Sequence, residues 1–202
     1  MTLDASVDSI SEFLGQPVLS AIVKARDSSA DDLARWRKDT PTDVARATSR
    51  GLANRINDSF VFHMAAALDG IDGVVFSERA RRFVVGDKVV LVCKRHNMKD
   101  RIRSYPTRAA LDFWGGAATL DGLGTIALAA GYRWDGELRE IGVPVLSYRK
   151  GLLARPTWVV DLSRDEGDAA APVRIVPPGG PVAPTFDLSG IEQPERKDGS
   201  KP

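Results

Sequence analysis

The fold changes character at residues 82–93, where the sequence reads RFVVGDKVVLVC. Two runs rich in β-branched residues flank Gly86-Asp87, and a Gly-Asp pair between such runs is typical of the tight turn in a β-hairpin. We therefore predict two antiparallel strands, over residues 82–85 and 88–93. The pattern before this hairpin is helical, whereas the pattern after it continues as strands.

Three more strand-like runs follow the hairpin, over residues 125–134, 143–148 and 157–162. Asp135-Gly136 is a typical turn pair and separates the first run from the second. A short amphipathic helix that begins at Thr107 comes before these runs. The sequence therefore predicts a mainly antiparallel β region with one short helix over residues 73–162.

Residues 1–72 have the apolar spacing of helices. The predicted helices are 6–14, 17–26, 30–38 and 41–68, the first closed by Gly15 and the last started by Thr40-Pro41. From Ser163 onwards the composition is dominated by Pro, Gly and charged residues, which is typical of a flexible tail. We therefore predict an α+β protein with a helical part (1–72), a β part (73–162) and a tail (163–202).

Composition excludes several classes of protein. With 202 residues, 43% of them hydrophobic, the chain can bury a core. No apolar run approaches the roughly 20 residues that span a bilayer, and the N-terminus lacks the form of a signal peptide. The single cysteine, Cys93, rules out an intramolecular disulfide and a cysteine-built zinc site; we expect it to be a small buried hydrophobe. We expect a cytoplasmic protein without a metal, a cofactor or a membrane contact.

The formal net charge of +1 conceals an uneven distribution. Residues 79–108 hold ten basic and two acidic side chains, whereas residues 1–78 hold eight basic and twelve acidic ones. A concentrated positive field attracts polyanions such as nucleic acids. Two alternatives stay open, a solvated strand edge and a basic stretch that packs against the acidic helices. We expect a basic arm to contact the polyanion through Lys94, Arg95, Lys99, Arg101, Arg103 and Arg108.

The helices before residue 70 follow one another in the order of a helix-turn-helix. The residues that carry the pattern are Leu14-Gly15 before the second helix, Val23 and Asp27 around the turn Asp27-Ser28, Ser29 as the cap, Leu33 as a core residue, Arg35-Trp36 at the end of the third helix, and Pro41 at the start of the next. On these residues, the segment 6–70 resembles the helix-turn-helix of phage-repressor-like (Xre-type) regulators, including antitoxins of the Xre–ParS kind.

This resemblance implies a DNA-binding transcription regulator or an antitoxin-like protein that binds DNA and a protein partner. Helix 30–38 would then enter the major groove, and the protein would act as a homodimer because one such helix gives little affinity. The contacts that this arrangement implies are Ser28, Ser29, Asp32, Arg35, Arg37 and Lys38.

Two other functions fit the same residues. The first is a non-enzymatic protein-interaction module of a phage or defence system, in which the basic arm is the only polyanion contact. The second is a nuclease in which His96 acts as a general base while neighbouring cations stabilise charge on the phosphate. His63 lies among Phe60, Phe62 and Met64, so we expect it to pack between helices. We favour the non-enzymatic functions and assign no catalytic residue.

Overall fold

The computed structural model describes residues 3–115, 125–152, 154–163 and 173–176. Within these ranges the helices are α1 (Val7–Asp39), α2 (Pro41–Arg46), α3 (Ser49–Leu68) and α4 (Arg108–Trp114). The strands are β1 (Val74–Ser77), β2 (Arg82–Val85), β3 (Val89–Asn97), β4 (Ile126–Asp135), β5 (Glu140–Tyr148), β6 (Trp158–Ser163) and β7 (Arg174–Val176). The chain is therefore α+β, with helices first and one short helix among the strands, as predicted.

The strands form one seven-stranded sheet in which spatial order follows chain order. Every neighbouring pair is antiparallel except β3 and β4, which run parallel with Val89 opposite Ile126. A parallel pair needs a crossover connection, and here the crossover contains α4. It places Phe113 and Trp114 against Val90 on one face of the sheet.

The predicted hairpin is confirmed. Gly86 and Asp87 have φ values of +53° and +57°, the left-handed conformation of both central residues of a type I′ turn, and the N–H of Lys88 donates to the carbonyl oxygen of Val85 at 3.3 Å. The turn pairs Val85 with Val89 and continues to the pair of Arg82 with Val92. The side chain of Asp135, which begins the second predicted turn, accepts the backbone N–H groups of residues 137 and 138 at 2.8 and 3.0 Å.

Helices α1 and α3 pack together and cover the face of the sheet opposite α4. Ile22 of α1 and Phe60 of α3 are buried in the same hydrophobic core as Leu91 of β3 and Leu128 of β4. Residues on both sides of the predicted boundary at 72/73 therefore contribute to one core.

The predicted turn at Asp27-Ser28 is wrong, because α1 continues through both residues to Asp39. Ser29 does not cap a new helix. It is 1% exposed, and its hydroxyl donates a hydrogen bond to the carbonyl oxygen of Ala25 at 2.7 Å. Serine hydroxyls satisfy themselves in this way inside helices, so the polar pair before Ser29 does not interrupt α1. The predicted break at Gly15 is confirmed, since its φ of +67° kinks α1.

Two other predicted boundaries also need correction. The helix predicted over 41–68 is divided, because α2 ends at Arg46 and the Thr48 hydroxyl oxygen begins α3 by accepting the N–H of Gly51 at 3.0 Å. The tail predicted as flexible contains β7, which pairs with β6. The side-chain amide of Gln16 also bonds to the backbone of Val173. The rest of the predicted tail, 164–172 and 177–202, lies outside the described residues.

Asp32 joins α1 to α3 through two hydrogen bonds. Its carboxylate accepts the Ser59 hydroxyl at 2.7 Å and the Nε2–H of His63 at 2.8 Å. These bonds, led by the one from His63, hold the pKa of Asp32 below its usual value. His63 therefore links the helices, as its sequence neighbours indicated.

Asp32→Ala is therefore expected to lower the free energy of unfolding by about 1 kcal/mol, because it leaves two partners without their acceptor. Asp31→Ala is the matched control, since Asp31 is the exposed neighbour on the same helix and gives the same gain in helix propensity. Urea unfolding measures both variants. Equal stability of the two variants would contradict the conclusion that the hydrogen bonds of Asp32 hold α1 to α3.

Candidate functional site

The six residues expected to contact DNA from helix 30–38 do not form one exposed surface. Ser29 is buried and Asp32 faces α3. The guanidinium of Arg37 donates to the carbonyl oxygen of Arg139, in the turn between β4 and β5. The other three are Ser28, which is partly buried, and Arg35 and Lys38, which are exposed.

The exposed stripe of this part of α1 has mixed charge. Asp27 and Asp31 lie on it at helical spacing from Arg35, and all three are exposed. A phosphate backbone would therefore meet carboxylates as well as cations on this helix. Together with the missing turn, this leaves α1 without the features of a recognition helix.

The basic arm is built where β3 extends past the end of β2. The last β2–β3 pair is Arg82 with Val92, so β3 continues beyond its partner on that edge. The chain then reverses in a tight turn, in which the side-chain oxygen of Asn97 accepts the N–H groups of Lys99 and Arg101, both at 2.9 Å. The returning chain pairs Ile102 with His96 in an antiparallel bridge. Residues 101–105 therefore run beside β3, in the space that β2 leaves open.

Arg133 fixes this turn to the sheet. It lies at an irregularity of the β4–β5 register, between Tyr132 and Trp134. Its guanidinium donates two hydrogen bonds to the carboxylate of Asp100, at 2.7 and 3.1 Å, and one to Asp161 at 3.1 Å. Bidentate pairs of this kind are geometrically specific, so the position of the returning segment is well defined.

Side chains of the returning segment alternate between exposed and partly buried positions, as the sequence indicated. Ile102 packs against the apolar cluster under α4, whereas Arg101 and Arg103 are exposed. Ser104 is partly buried, and Tyr105 has 81% of its surface exposed. The two arginines therefore share one face, and an accessible aromatic ring stands next to them.

Three adjoining cavities surround the returning segment, and we call them together the basic cleft. The first, of about 500 Å³, lies between this segment and the chain after β5, where Arg149 and Arg155 line it. The second, of about 750 Å³, lies between the segment and α3, where Lys94, Arg95 and Asn57 line it. The third, of about 290 Å³, lies under α4. Arg101 and Arg103 line both larger cavities.

Except for Arg81, which pairs with Asp58, the cations that line the basic cleft form no ion pair with the described part of the chain. No Asp or Glu lines any of the three cavities in that part. The nearby carboxylates have other partners, since Asp58 pairs with Arg81 and Asp100 with Arg133. None of the six arm residues, Lys94, Arg95, Lys99, Arg101, Arg103 and Arg108, forms an ion pair with a described residue. The alternative that the positive charge of the arm is neutralised by packing against the acidic helices is therefore not supported.

The arm residues differ in their positions. Lys94, Arg95, Arg101 and Arg103 line the basic cleft, and Arg95 also lies over the ring of Trp134 at 5.6 Å. Lys99 is exposed in the tight turn and Arg108 is exposed at the start of α4, and neither lines the three cavities. The structure thus brings four of the six predicted residues together.

Sequence reasoning missed Arg149, the most deeply buried cation of the cleft. It is 4% exposed, lies with its guanidinium 4.9 Å from the centre of the Trp114 ring, and donates to the carbonyl oxygen of Leu152 at 3.1 Å. The only signal in the sequence is that Arg149-Lys150 directly follows an apolar strand. Burial of Arg149 depends on α4 and the loop after β5, which local pattern does not reveal.

His96 is enclosed in the sheet and faces no cavity of the cleft. It is 0% exposed, and its Nε2 lies 2.8 Å from the Ser147 hydroxyl oxygen. Burial lowers its pKa to about 4, so the ring is neutral at pH 7 and a substrate phosphate cannot reach it. Cys93 is buried as expected, and burial raises the pKa of its thiol to about 12. The geometry therefore supports neither residue as a catalytic group.

The comparisons with known proteins add no relative from which a function could be inferred. The chain matches no model of a known protein family, no curated protein and no solved structure. Among the described helices, none has both the length and the apolar character needed to cross a membrane. Function must therefore be inferred from the chemistry of the site itself.

Proposed function

We propose that this protein binds a single-stranded nucleic acid in the basic cleft. The observation that carries the proposal is the set of arm cations around residues 101–105, which have no ion-pair partner and no carboxylate among the described lining residues. Like charges held together repel one another, and a polyanion that enters the cleft relieves this repulsion. Arginine is well suited to the task, because its planar guanidinium bonds to phosphate oxygens in pairs.

The shape of the site favours a single strand over a duplex. Reading of duplex DNA requires a helix or ribbon that protrudes into a groove, whereas the arm cations line concave cavities. A single strand can follow such a cleft and place its bases on aromatic rings. Tyr105, which is 81% exposed, offers such a ring beside Arg101 and Arg103.

In this proposal α1 supports the sheet and is not the reading element. Its apolar side packs against α3 and the strands, and its exposed stripe is of mixed charge. The regulatory or antitoxin role that the resemblance implies depends on a turn that α1 does not form, so we do not include it in the proposal. The acidic helical segment and the basic arm thus have separate tasks.

Replacing Arg101 and Arg103 together by alanine is expected to weaken the binding of a short fluorescent oligothymidine by about tenfold or more at low salt. Each arginine that contacts a phosphate of a single strand contributes roughly 0.7 to the slope of log K against log salt concentration. The slope is therefore expected to fall by about 1.4 in the double variant. Fluorescence anisotropy over a salt series measures both quantities.

The control variant replaces Arg35 and Lys38, two exposed cations of α1, and so removes the same charge from residues that line none of the three cavities. It is expected to bind like the unmodified protein. Loss of binding in this variant, with full binding after the change of Arg101 and Arg103, would instead assign the interaction to α1. Failure of the unmodified protein to bind the oligothymidine at low salt would refute the proposal.

A further inference from the structure

Two residues that line the first cavity of the basic cleft carry buried polar atoms that have no partner in the described chain. Arg149 is 96% buried, being 4% exposed, and yet its Nε–H has no hydrogen-bond acceptor there. The hydroxyl oxygen of Ser104, which lines the same cavity, is also buried without a partner. Buried polar groups are nearly always hydrogen-bonded in native proteins. Because both residues line the same cavity, these unpartnered groups indicate a ligand with hydrogen-bond acceptors there.

Two more cations lie beside this pair. Ser104 lines the third cavity as well, together with Lys94 and Arg82. The Lys94 ammonium forms no hydrogen bond or ion pair with a described residue. Burial lowers its pKa, and the nearby charges of Arg149 and Arg82 lower it further. The ligand that fits here therefore carries concentrated negative charge.

The aromatic walls complete the site. Phe113 and Trp114 line the third cavity, and Arg82 lies over the Phe113 ring at 4.3 Å from its centre. Trp114 is held against the Arg149 guanidinium. A charged group at Ser104, which lines both the cavity of Arg149 and the cavity of Lys94, would thus have apolar rings beside it, against which a sugar or base can pack.

We propose that Arg149, Lys94 and Ser104 form a receptor for the terminal phosphate of the nucleic-acid strand. This inference rests on the proposed function, because the strand itself lies in the basic cleft. A terminal phosphate monoester carries nearly two negative charges at neutral pH and three strong acceptor oxygens. An internal phosphodiester carries one charge and has a nucleotide on either side, so it cannot descend to the buried Arg149. The phosphate at the end of a strand carries the higher charge and has a nucleotide on one side only, so it can reach Arg149.

The test uses three oligothymidines of equal length, one with a 5′-phosphate, one with a 3′-phosphate and one with hydroxyl groups at both ends. One phosphorylated form is expected to bind the unmodified protein about tenfold more tightly than the hydroxyl form, which is the effect of one charge-assisted hydrogen bond. Lys94→Gln and Ser104→Ala are both expected to abolish this preference. Ser104→Ala is expected to keep the binding of the hydroxyl form, whereas Lys94→Gln, which also removes an arm cation, is expected to weaken the binding of the hydroxyl form as well. Both variants avoid Arg149, whose replacement could prevent folding.

Lys99→Gln is the matched control, since it removes the same charge from the same arm but lies outside the three cavities. It is expected to keep the preference. Equal binding of all three oligothymidines would overturn the receptor and leave the proposed function intact, whereas binding of none would overturn the proposed function. A preference that survives Lys94→Gln would overturn the assignment of these residues. Competition by thymidine monophosphate at the affinity of the phosphorylated strand would overturn the strand end as the ligand, in favour of a free nucleotide.

Discussion

Gly131→Ala is expected to lower the free energy of unfolding by about 3 kcal/mol, the upper part of the range for overpacked interiors. Gly131 lies in β4 opposite Lys94 of β3. A Cβ atom at position 131 would stand 1.7 Å from the carbonyl oxygen of Lys94. Both backbones belong to the central parallel pair of the sheet, so neither can move aside without disturbing its other neighbour. Urea unfolding measures the loss.

Gly136→Ala is the control for this prediction. Position 136 is exposed in the turn after β4, and an added Cβ would approach only the Trp134 side chain, at 4.0 Å. Its effect is expected to stay within about 0.5 kcal/mol, as for most surface substitutions. Because Gly131 sets the path of β3 beside Lys94, the Gly131 variant is also expected to bind oligothymidine less well. A Gly131 variant as stable as the Gly136 variant would contradict the close approach of the two strands.

Acid is expected to destabilise the protein through His96 well before its carboxylates are protonated. The pKa of this ring is about 4 in the folded protein because of burial, against an ordinary value of 6.5. Between these two values the unfolded chain binds a proton that the folded chain does not, so the free energy of unfolding falls as pH falls. The full contribution is about 3 kcal/mol. It is present above pH 6.5 and is lost as pH falls from 6.5 to about 4.

Unfolding by urea, measured at intervals from neutral pH to about the folded-state pKa of His96, gives the slope of the free energy of unfolding against pH. Asp32 also has a lowered pKa, but its contribution is lost only below its ordinary value of 3.8, outside this interval. His96→Gln removes the titrating ring and keeps a polar group near the Ser147 hydroxyl, so its slope is expected to be smaller. Gly136→Ala, which changes no titratable group, is the control and is expected to keep the slope. An unchanged slope in the His96 variant would show that other groups cause the acid sensitivity.

Features set by a few adjacent residues could be predicted from the sequence. The hairpin at Gly86-Asp87 is one, because a turn whose two central residues both have positive φ admits few residue types. The start of α4 is another, since the Thr107 hydroxyl oxygen accepts the N–H of Ala110 at 3.2 Å. The exposed pair Arg101 and Arg103 followed in the same way from charge and alternation along the chain.

Features set by contacts between distant residues could not be predicted. Ser29 has the sequence of a helix cap, but packing of α1 against α3 and the sheet buries it inside a continuous helix. The parallel pairing of β3 and β4 depends on the crossover through α4. The short helix could be predicted from its sequence, but no local pattern indicates that the strands before and after it run parallel. Arg149 joins the site from a strand end far along the chain. The candidate site was therefore predicted as an exposed arm, whereas the buried Arg149 beside it was not predicted.

The structure explains why the segment that resembles a DNA-binding fold and the stretch with the highest positive charge lie in different parts of the sequence. The helical segment carries charges of both signs on an exposed outer stripe, whereas its inner side packs against the sheet. The positive charge is concentrated where β3 extends past the end of β2 and the chain turns back beside β3. The net charge of +1 thus describes neither surface.

Hydrogen–deuterium exchange, with and without a saturating oligothymidine, tests most directly that the basic cleft holds the nucleic acid. Bound ligand slows the exchange of the amides that it covers or stabilises. The expected result is slower exchange in residues 93–105 and 149–152, which form the walls of the cleft, with no change in residues 24–38 of α1. Slower exchange confined to residues 24–38, with none in the cleft, would contradict this account of the protein.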